Sequence, residues 1–289
     1  MLQVARLAPR LLGEASDLVR DFVLGQLDPR GGFRDRSGEP DLYYSVFGIE
    51  SLMALQVEPP GEELARWVDG LGKNGTGLDL VHLTCLARAS ADLHPRGVPA
   101  PLREGVRAGL ESFRSEDGGY GNEPGRTHGT VYGAFLACGA YQDVGESLPE
   151  PERVLGFLER MTAASGGFAN EPGLASGSTP ATAGAVALLR QLDRAPPGGT
   201  AEWLAARCLP QGGFVATPAT PLPDLLSTAT ALHALAGLQY PLDEIREPCL
   251  DFVDTLWTNR GSFYATWADQ ELDCEYTYYG LLALGHLSL

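Results

Sequence analysis

Apolar and polar positions divide the chain into two alternating kinds of helix-length segment. One kind is apolar almost all round and rich in Ala and Gly, which is typical of helices buried on every side. The other carries apolar residues at helical spacing on one side only, as in Leu102–Ser115 and Pro151–Thr162. No run alternates with the period of two that a strand requires, so the pattern predicts an all-α protein of helical hairpins. The apolar runs are Val46–Leu55, Val131–Tyr141, Ala183–Leu192, Ser227–Leu238 and Tyr276–Leu287.

A Gly-Gly-aromatic turn precedes most of the apolar runs. Its aromatic residues are Phe33, Tyr120, Phe168, Phe214 and, in a Gly-Ser-Phe variant, Phe263, and they lie 87, 48, 46 and 49 residues apart. Because the first interval is nearly twice the others, we infer one degenerate unit inside it, with its turn at Gly75–Gly77. Six helical-hairpin repeats of about 46 residues then fill residues 1–289 as a single domain.

Six helical hairpins form either an open solenoid or a closed double ring of six inner and six outer helices. An open array needs polar caps at both ends. The last unit instead ends at Leu289 with an apolar helix, which favours closure. The predicted fold is therefore a closed α/α toroid, and we expect residues 1–20, which are amphipathic, to form its first helix.

Composition excludes several classes of function. Lys and Arg number 21 against 37 Asp and Glu, for a formal charge of −16, which repels phosphate backbones and makes nucleic acid an unsuitable partner. No stretch has the roughly 18 continuous apolar residues of a membrane span. The five cysteines lack CxxC spacing, which indicates reduced thiols. The N-terminal segment lacks an apolar signal core, so we expect a cytoplasmic protein, with an organelle presequence as the alternative.

Two copies of the repeat resemble those of a known family. The segment GGFRDRSGEPDLYYSVFGIESLMAL (Gly31–Leu55) and the closing LDCEYTYYGLLALGHL are similar to the repeat of protein prenyltransferase β subunits, whose toroid is shared with triterpene cyclases. The resemblance implies an apolar central cavity for an isoprenoid, a zinc ion that activates a cysteine thiolate, and basic residues that hold a diphosphate. It also implies a helical-repeat protein as partner subunit.

The residues at the family's zinc and diphosphate positions depart from its pattern. The family binds zinc through D-x-C and the His of D-x-x-H, and these positions hold Asp224, Leu226 and Tyr276 here. Leucine cannot coordinate, and a protonated tyrosine is a poor zinc ligand, so we expect no zinc cofactor at this place. The preceding loop, 215–223, has no Arg or Lys, and Pro180 stands where a phosphate-binding His is expected. The weaker metal candidates are Asp224, His82, which has the zinc-binding His position in another repeat, and Cys274.

The remaining polar candidates recur at the starts of the apolar helices. Each is an i, i+3 pair led by an aspartate: Asp41/Tyr44, Asp79/His82, Asp224/Ser227 and Asp273/Tyr276. The aspartates are typical N-caps, with Thr179 as the matching cap of the fourth repeat before Pro180. Alternatively, the pairs form a ligand-binding rim in a closed ring. Arg126 and His128 are either the anchor of an anion on that rim or part of a surface loop.

Two further groups have open interpretations. The carboxylates Asp269, Glu271, Asp273 and Glu275 alternate into the last helix, where they either bind a hard cation or are solvated. A set of aromatic residues either lines the cavity or fills the core: Tyr43, Phe47, Tyr132, Phe135, Tyr278 and Tyr279.

Three functions remain open after these observations. The first is a prenyltransferase β-subunit-like transferase with Asp224, Asp273 and Tyr276 as catalytic candidates. The second is a non-catalytic toroid that binds an isoprenoid, another apolar ligand or a protein partner. The third is a terpene cyclase, although neither a D-x-D-D nor a DDxxD motif occurs.

Overall fold

The computed structural model describes residues 1–71 and 77–289. The turn that the sequence indicates at Gly75–Gly77 therefore lies, apart from Gly77, outside the described residues. Among the described residues, amphipathic and apolar helices alternate from α3 to α14 as six consecutive pairs. The helices are α1 (Leu2–Ala5), α2 (Pro9–Leu12), α3 (Ala15–Gly25), α4 (Leu42–Ala54), α5 (Gly61–Leu71), α6 (Leu80–Leu93), α7 (Ala100–Ser112), α8 (Val131–Asp143), α9 (Pro151–Arg160), α10 (Thr179–Gln191), α11 (Thr200–Ala205), α12 (Leu225–Gly237), α13 (Asp243–Leu256) and α14 (Cys274–Leu287).

The N-terminal segment differs from the single helix expected over residues 1–20. It forms α1, α2 and the start of α3, with breaks between them. Pro9 opens α2, and Gly13 ends it with a φ of 53°, a conformation that favours glycine. The apolar residues of this segment have helical spacing, but Pro9 and Gly13 divide the helix.

The turns contain short antiparallel strand pairs. They are β1 (Phe33–Arg34) with β2 (Pro40–Asp41), β3 (Phe214–Val215) with β4 (Pro223–Asp224), and β5 (Trp257–Thr258) with β6 (Ser262–Phe263). Each strand has two residues, too few to carry the alternation that identifies a strand in sequence. Phe33 lies opposite Asp41 and Phe214 opposite Asp224, so each pairing brings the turn's aromatic residue to the start of the following helix.

A hydroxyl group fixes three of the Gly-Gly-aromatic turns to the next apolar helix. The Phe33 N–H donates to Ser45 Oγ at 2.8 Å, and Ser45 Oγ donates to the Asp41 carbonyl at 2.6 Å. The same double contact occurs at Thr182 and at Thr228. These hydroxyls satisfy a buried N–H group, which would otherwise be costly. In these three repeats, the backbone N–H of the buried aromatic residue is therefore paired with a Ser or Thr that lies four positions after the helix cap.

The chain forms two compact units. Unit 1 comprises residues 1–59 and 198–289, and unit 2 comprises residues 60–197. In unit 1 the apolar helix α14 packs against both α12 and α4, and α1 also packs on α14. The last repeat is thus a neighbour of the first, which is the adjacency that closure requires. In unit 2, α8 packs between α6 and α10.

The aspartate caps expected from the sequence are confirmed. The side chains of Asp41, Asp79, Asp224 and Asp273 each accept a hydrogen bond from the backbone N–H three residues later. In the fourth repeat the cap is Ser178 rather than Thr179, so Thr179 is already helical and Pro180 follows it. Thr130 caps α8 in the same manner, a role that the sequence reading had not assigned. Among the described residues, no helix combines the length and apolarity needed to cross a membrane.

Candidate functional site

A half-buried patch of aromatic and acidic side chains lies where α4 and α14 begin. Tyr43 and Phe47 are one turn apart on α4, as are Glu275 and Tyr279 on α14, so each pair occupies one helix face. The rings of Phe47 and Tyr279 lie 5.6 Å apart between centroids. We call this patch the aromatic-acid face, and it consists of Tyr43, Tyr44, Phe47, Glu275, Tyr276 and Tyr279.

A hydrogen bond joins the two helices within the aromatic-acid face. The Tyr43 hydroxyl donates to Glu275 Oε1 at 2.7 Å. Burial raises the pKa of Glu275 to about 7, while the bond from Tyr43 acts in the opposite direction. Near neutral pH the carboxyl group is therefore divided between its acid and its carboxylate form. A carboxyl group in this state can donate or accept a proton.

Arg36 lies beside this face, and its charge is already compensated. Its Nε donates to Asp273 Oδ2 at 2.7 Å and its Nη1 donates to Asp269 Oδ2 at 2.9 Å. Its guanidinium also lies over the Tyr276 ring, 5.6 Å from the centroid. The sequence reading assigned no role to Arg36, because its partners are more than 230 positions away in the chain. The sequence signal that could have identified Arg36 is its position as a basic residue just before an apolar helix in an acidic chain.

The predicted catalytic candidates have mainly structural contacts. Asp224 Oδ1 accepts from the Ser227 N–H and Asp224 Oδ2 from Ser227 Oγ, each at 2.7 Å. Burial raises the pKa of both Asp224 and Asp273, and it also raises the pKa of the Tyr276 phenol. Tyr276 therefore stays protonated at neutral pH. Burial likewise raises the pKa of Tyr44 to about 12.

The other predicted rim residues lie in unit 2 and have local partners. Asp79 Oδ1 lies 2.9 Å from His82 Nδ1 and accepts from the His82 N–H at 2.8 Å. Burial acts to raise the pKa of Asp79, but these contacts with His82 outweigh it, and the net shift is downward. Arg126 pairs with Glu123 at 3.0 Å, and His128 lies 3.5 Å from Asp117. Arg126 and His128 are both more than half exposed, as expected of a surface loop.

The aromatic residues named from the sequence divide between core and surface. Tyr278 is 1% exposed and belongs to the core, whereas Tyr43, Phe47 and Tyr279 are half-buried. Tyr132, which is 41% exposed, and the half-buried Phe135 lie on α8 in unit 2.

The zinc ion that the family resemblance implies does not fit these residues. Asp224 has both carboxylate oxygens engaged in capping, Leu226 has no donor atom, and Tyr276 remains a phenol. Burial raises the pKa of the Cys274 thiol, which opposes formation of the thiolate that binds zinc. Within residues 1–71 and 77–289, no three His, Cys, Asp or Glu side chains are grouped closely enough to hold a metal ion.

A histidine pair lies farther along α12 and α14. His233 Nδ1 is 3.0 Å from His286 Nε2. His286 is only 4% exposed, and burial lowers its pKa to about 4, so it is neutral at physiological pH. Neither histidine had been singled out from the sequence, since an isolated His on an apolar helix carries no distinctive pattern.

An open cavity of about 590 Å³ is present in unit 2, and its lining contains none of the predicted site residues. It lies between α9 and the segment that follows α10. Its polar lining consists of Glu152, Glu159, Thr162 and Arg194. Arg194 lies 3.3 Å from Glu152. The volume alone does not identify this cavity as the functional site, because Arg194 and Glu152 of its lining already pair with each other.

Comparisons with known proteins agree with the repeat pattern. The family described as "Prenyltransferase alpha-alpha toroid domain" matches residues 11–93, 80–214 and 182–288. No sequence relative was found among curated proteins.

Solved structures of several activities have the same fold. D-mannose isomerase superposes with a TM-score of 0.68 at 13% identity, covering 97% of this chain and 98% of that chain. A variant of the type II terpene cyclase MstE from Scytonema, in complex with its product merosterolic acid A, gives 0.65 at 15% identity over 97% of each chain. Candida albicans protein geranylgeranyltransferase-I complexed with GGPP gives 0.52 at 16% identity, covering 99% of this chain and 81% of that chain. At these identities the likeness extends to the fold alone.

Proposed function

Since the chain belongs to the prenyltransferase alpha-alpha toroid family, we propose that it binds an apolar ligand of isoprenoid type against the aromatic-acid face. The observation that carries this proposal is the Tyr43–Glu275 hydrogen bond, set among half-buried aromatic rings. Aromatic faces provide large apolar contact areas, and a single polar group among them orients a ligand. The face thus suits a long hydrocarbon with at most one small polar end.

The charge distribution favours a ligand without a diphosphate. Arg36 already forms ion pairs with Asp269 and Asp273, so its guanidinium is not available to a phosphate group without breaking them. Asp224, Asp273 and Glu275 add acidic groups nearby, and the chain as a whole carries −16. Phosphate oxygens bound here would lose their hydration without gaining a compensating cation. An isoprenoid alcohol or hydrocarbon has no phosphate group, so it needs no cation and is not repelled by the acidic side chains.

A second candidate function is proton transfer to or from the bound ligand, carried by Glu275. Its pKa of about 7 keeps both the acid and the base form populated. The acid form would donate its proton to a carbon–carbon double bond, and the carboxylate would later remove a proton from the resulting carbocation. The neighbouring aromatic rings would stabilise that cation through their faces. The type II terpene cyclase fold relative makes this chemistry worth testing.

Prenyl transfer to a cysteine thiol ranks below these two candidates. The family mechanism needs zinc. The side chains of Asp224, Leu226 and Tyr276, which occupy the zinc-ligand positions, are not a suitable ligand set for that ion. A helical-repeat partner subunit, which the family resemblance implies, remains a prediction of the sequence, and co-purification from the native host would test it.

Ligand binding can be tested with a fluorescent farnesol analogue and the Phe47→Ala and Tyr279→Ala variants. We expect each variant to weaken binding about tenfold, because each removes one wall of the face. The control is Leu174→Ala, which removes an exposed apolar side chain in unit 2 and should leave binding unchanged. Unchanged affinity in both aromatic variants would reject the aromatic-acid face as the binding surface.

Proton transfer has a separate readout. The protein is incubated with farnesol in deuterated buffer, the recovered isoprenoid is washed with ordinary water to remove deuterium from its hydroxyl group, and carbon-bound deuterium is measured by mass spectrometry. We expect carbon-bound deuterium with the wild type and none with Glu275→Gln, which retains the shape of the side chain but has no carboxylic acid proton to donate. If wild type and variant incorporate deuterium equally, Glu275 is not the acid, whether or not the ligand binds.

A further inference from the structure

Two cysteines of unit 1 lie in contact although 41 positions separate them. Cys208 follows α11, and Cys249 lies in the middle of α13. Their Sγ atoms are 3.8 Å apart. Cys249 is fully buried, whereas Cys208 is half-buried and therefore reachable by small solutes. All five cysteines carry thiols rather than disulfides in the structure.

The backbone around the two thiols holds them in place. Cys208 forms a β-bridge with Phe214, at the far side of the Gly-Gly turn. Within that turn, the α-carbon of Gly212 approaches the Pro248 carbonyl so closely that an added Cβ would overlap it. The segment that carries Cys208 is thereby fixed against the residue that precedes Cys249. The two sulfur atoms are therefore in contact because the Gly-Gly turn of the fifth repeat packs on α13.

The two thiols are chemically unequal. Hydrogen bonds from Cys208 and from the Gly213 N–H lower the pKa of Cys249, although burial acts against them. The bond that Cys208 donates raises the pKa of Cys208 itself, and burial adds to that effect. The pair therefore shares one proton after losing the other, and the Cys249 thiolate is placed to take that proton when the Cys208 sulfur reacts in thiol–disulfide exchange.

Cys138 and Cys274 have a different environment. Cys138 Sγ donates to Gln191 Oε1 at 3.3 Å, and burial raises its pKa to about 11. Cys274 is completely buried, and burial raises its pKa as well. Burial therefore disfavours the reactive thiolate at Cys138 and Cys274, whereas Cys249 has a lowered pKa.

We propose that Cys208 and Cys249 form a redox-active dithiol, which closes to a reversible disulfide by exchange with a small-molecule disulfide of the glutathione class. The shared proton moves from Cys208 to the Cys249 thiolate as the accessible Cys208 sulfur attacks one sulfur of the oxidised glutathione, which forms a mixed disulfide and releases one glutathione thiolate. The Cys249 thiolate then attacks Cys208 Sγ, which forms the internal bond and releases the second glutathione thiolate. Two protons leave the cysteines and are taken up by the two released thiolates. The cysteines are oxidised and the glutathione disulfide is reduced.

The disulfide would link the turn of the fifth repeat to the amphipathic helix of the sixth. Closure requires the two sulfurs to move from 3.8 Å to a bond of about 2.05 Å. The same turn continues through Phe214, whose N–H donates to Thr228 Oγ1 on α12. Oxidation therefore adds a covalent link beside an apolar helix of unit 1.

The experiment equilibrates the native protein in glutathione buffers of increasing oxidised fraction, alkylates the remaining thiols and maps the peptides by mass spectrometry. We expect one internal disulfide between residues 208 and 249, with the mass lowered by two hydrogen atoms, while the other three cysteines stay reduced. Adding reduced glutathione should restore both thiols. Cys85→Ser serves as the control and should give the same disulfide.

Two single variants separate the steps. Cys249→Ser should stop at the mixed disulfide, and so carry one glutathione on Cys208, whereas Cys208→Ser should carry neither modification. The proposal is overturned if the wild type retains glutathione on Cys208 without an internal bond. It is also overturned if both thiols are alkylated at every buffer composition, or if the 208–249 disulfide forms only in denaturant.

Discussion

The Tyr43 hydroxyl on α4 donates a 2.7 Å hydrogen bond to Oε1 of Glu275 on α14. Tyr43 belongs to the first repeat and Glu275 to the last, so this bond lies at the junction of the two ends of the repeat array. It also places the carboxyl group whose pKa is about 7 within a set of aromatic rings. The hydrogen bond between the first and last repeats, the carboxyl group with the raised pKa and the proposed ligand site therefore lie at the same place.

Glu275→Gln should change how stability depends on pH. The folded-state pKa of Glu275 is raised from 4.5 to about 7, so the folded protein binds this proton more tightly than the unfolded chain. Its contribution is fully present below about pH 4.5 and is lost as pH rises toward 7. We expect the variant to be more stable than the wild type at pH 8 by about 1 to 3 kcal/mol, and equally stable at pH 4.

Denaturant unfolding of both proteins from pH 4 to pH 8 measures this difference. The matched control is Tyr43→Phe, which keeps Glu275 but removes the hydrogen bond that favours its carboxylate. That variant should lose stability at pH 8 rather than gain it. Parallel stability curves for wild type and Glu275→Gln over the whole range would show that Glu275 does not titrate as described.

Arg36→Met should destabilise the protein by leaving a buried carboxylate unpaired. The Asp273 side chain is 1% exposed, and Arg36 is its ion-pair partner at 2.7 Å. We expect a loss of about 2 to 4 kcal/mol in the free energy of unfolding at pH 7. The double variant Arg36→Met with Asp273→Asn should recover part of that loss, because the amide still caps α14 and carries no charge. A double variant less stable than the single one would contradict this explanation.

The aspartate caps predict a distinction between alanine and asparagine. Asp41 and Asp79 each accept the N–H three residues later. Alanine at either position should cost about 0.5 to 2 kcal/mol, whereas asparagine should cost only a few tenths, because it still accepts this bond. Thermal unfolding of the four single variants tests this point. Equal losses for alanine and asparagine would indicate that charge, rather than capping, is the contribution of these residues.

Gly212→Ala should be far more damaging than the same change at Gly125. Both glycines have positive φ, 90° and 75° respectively. A Cβ on Gly212 would overlap the Pro248 carbonyl, whereas a Cβ on Gly125 has no atom within 4 Å. We expect a cost of about 1 to 2 kcal/mol at Gly125, from backbone strain alone, and at least about 3 kcal/mol at Gly212. Similar losses would mean that the turn is not packed against α13 as the structure has it.

Most of the fold followed from the sequence because it depends on local, repeated patterns. The spacing from Phe33 to Phe263 predicted the hairpins, and the family match confirms the predicted α/α toroid class. Asp41 and its equivalents were recognisable as caps, since a cap depends on residues only three positions apart. The cap of the fourth repeat was displaced by one residue, from Thr179 to Ser178, because either hydroxyl satisfies the same local pattern.

The site was less predictable because its contacts join distant positions. Nothing near Arg36 in the sequence indicates Asp273, and nothing near Tyr43 indicates Glu275. Glu275 was noticed only as one of a series of alternating acids, while its raised pKa depends on burial by other elements. The contact between Cys208 and Cys249 likewise depends on how a turn packs on a helix, which spacing alone does not show.

A calorimetric titration with farnesol and with farnesyl diphosphate, each with and without added zinc, tests the proposed function most directly. The two ligands differ only in the diphosphate, so their comparison isolates that group. We expect farnesol to bind at least as tightly as the diphosphate, zinc to change neither affinity, and Phe47→Ala to weaken both. Tight, zinc-dependent binding of farnesyl diphosphate, with no binding of farnesol, would contradict the account and assign the protein a rebuilt prenyltransferase site.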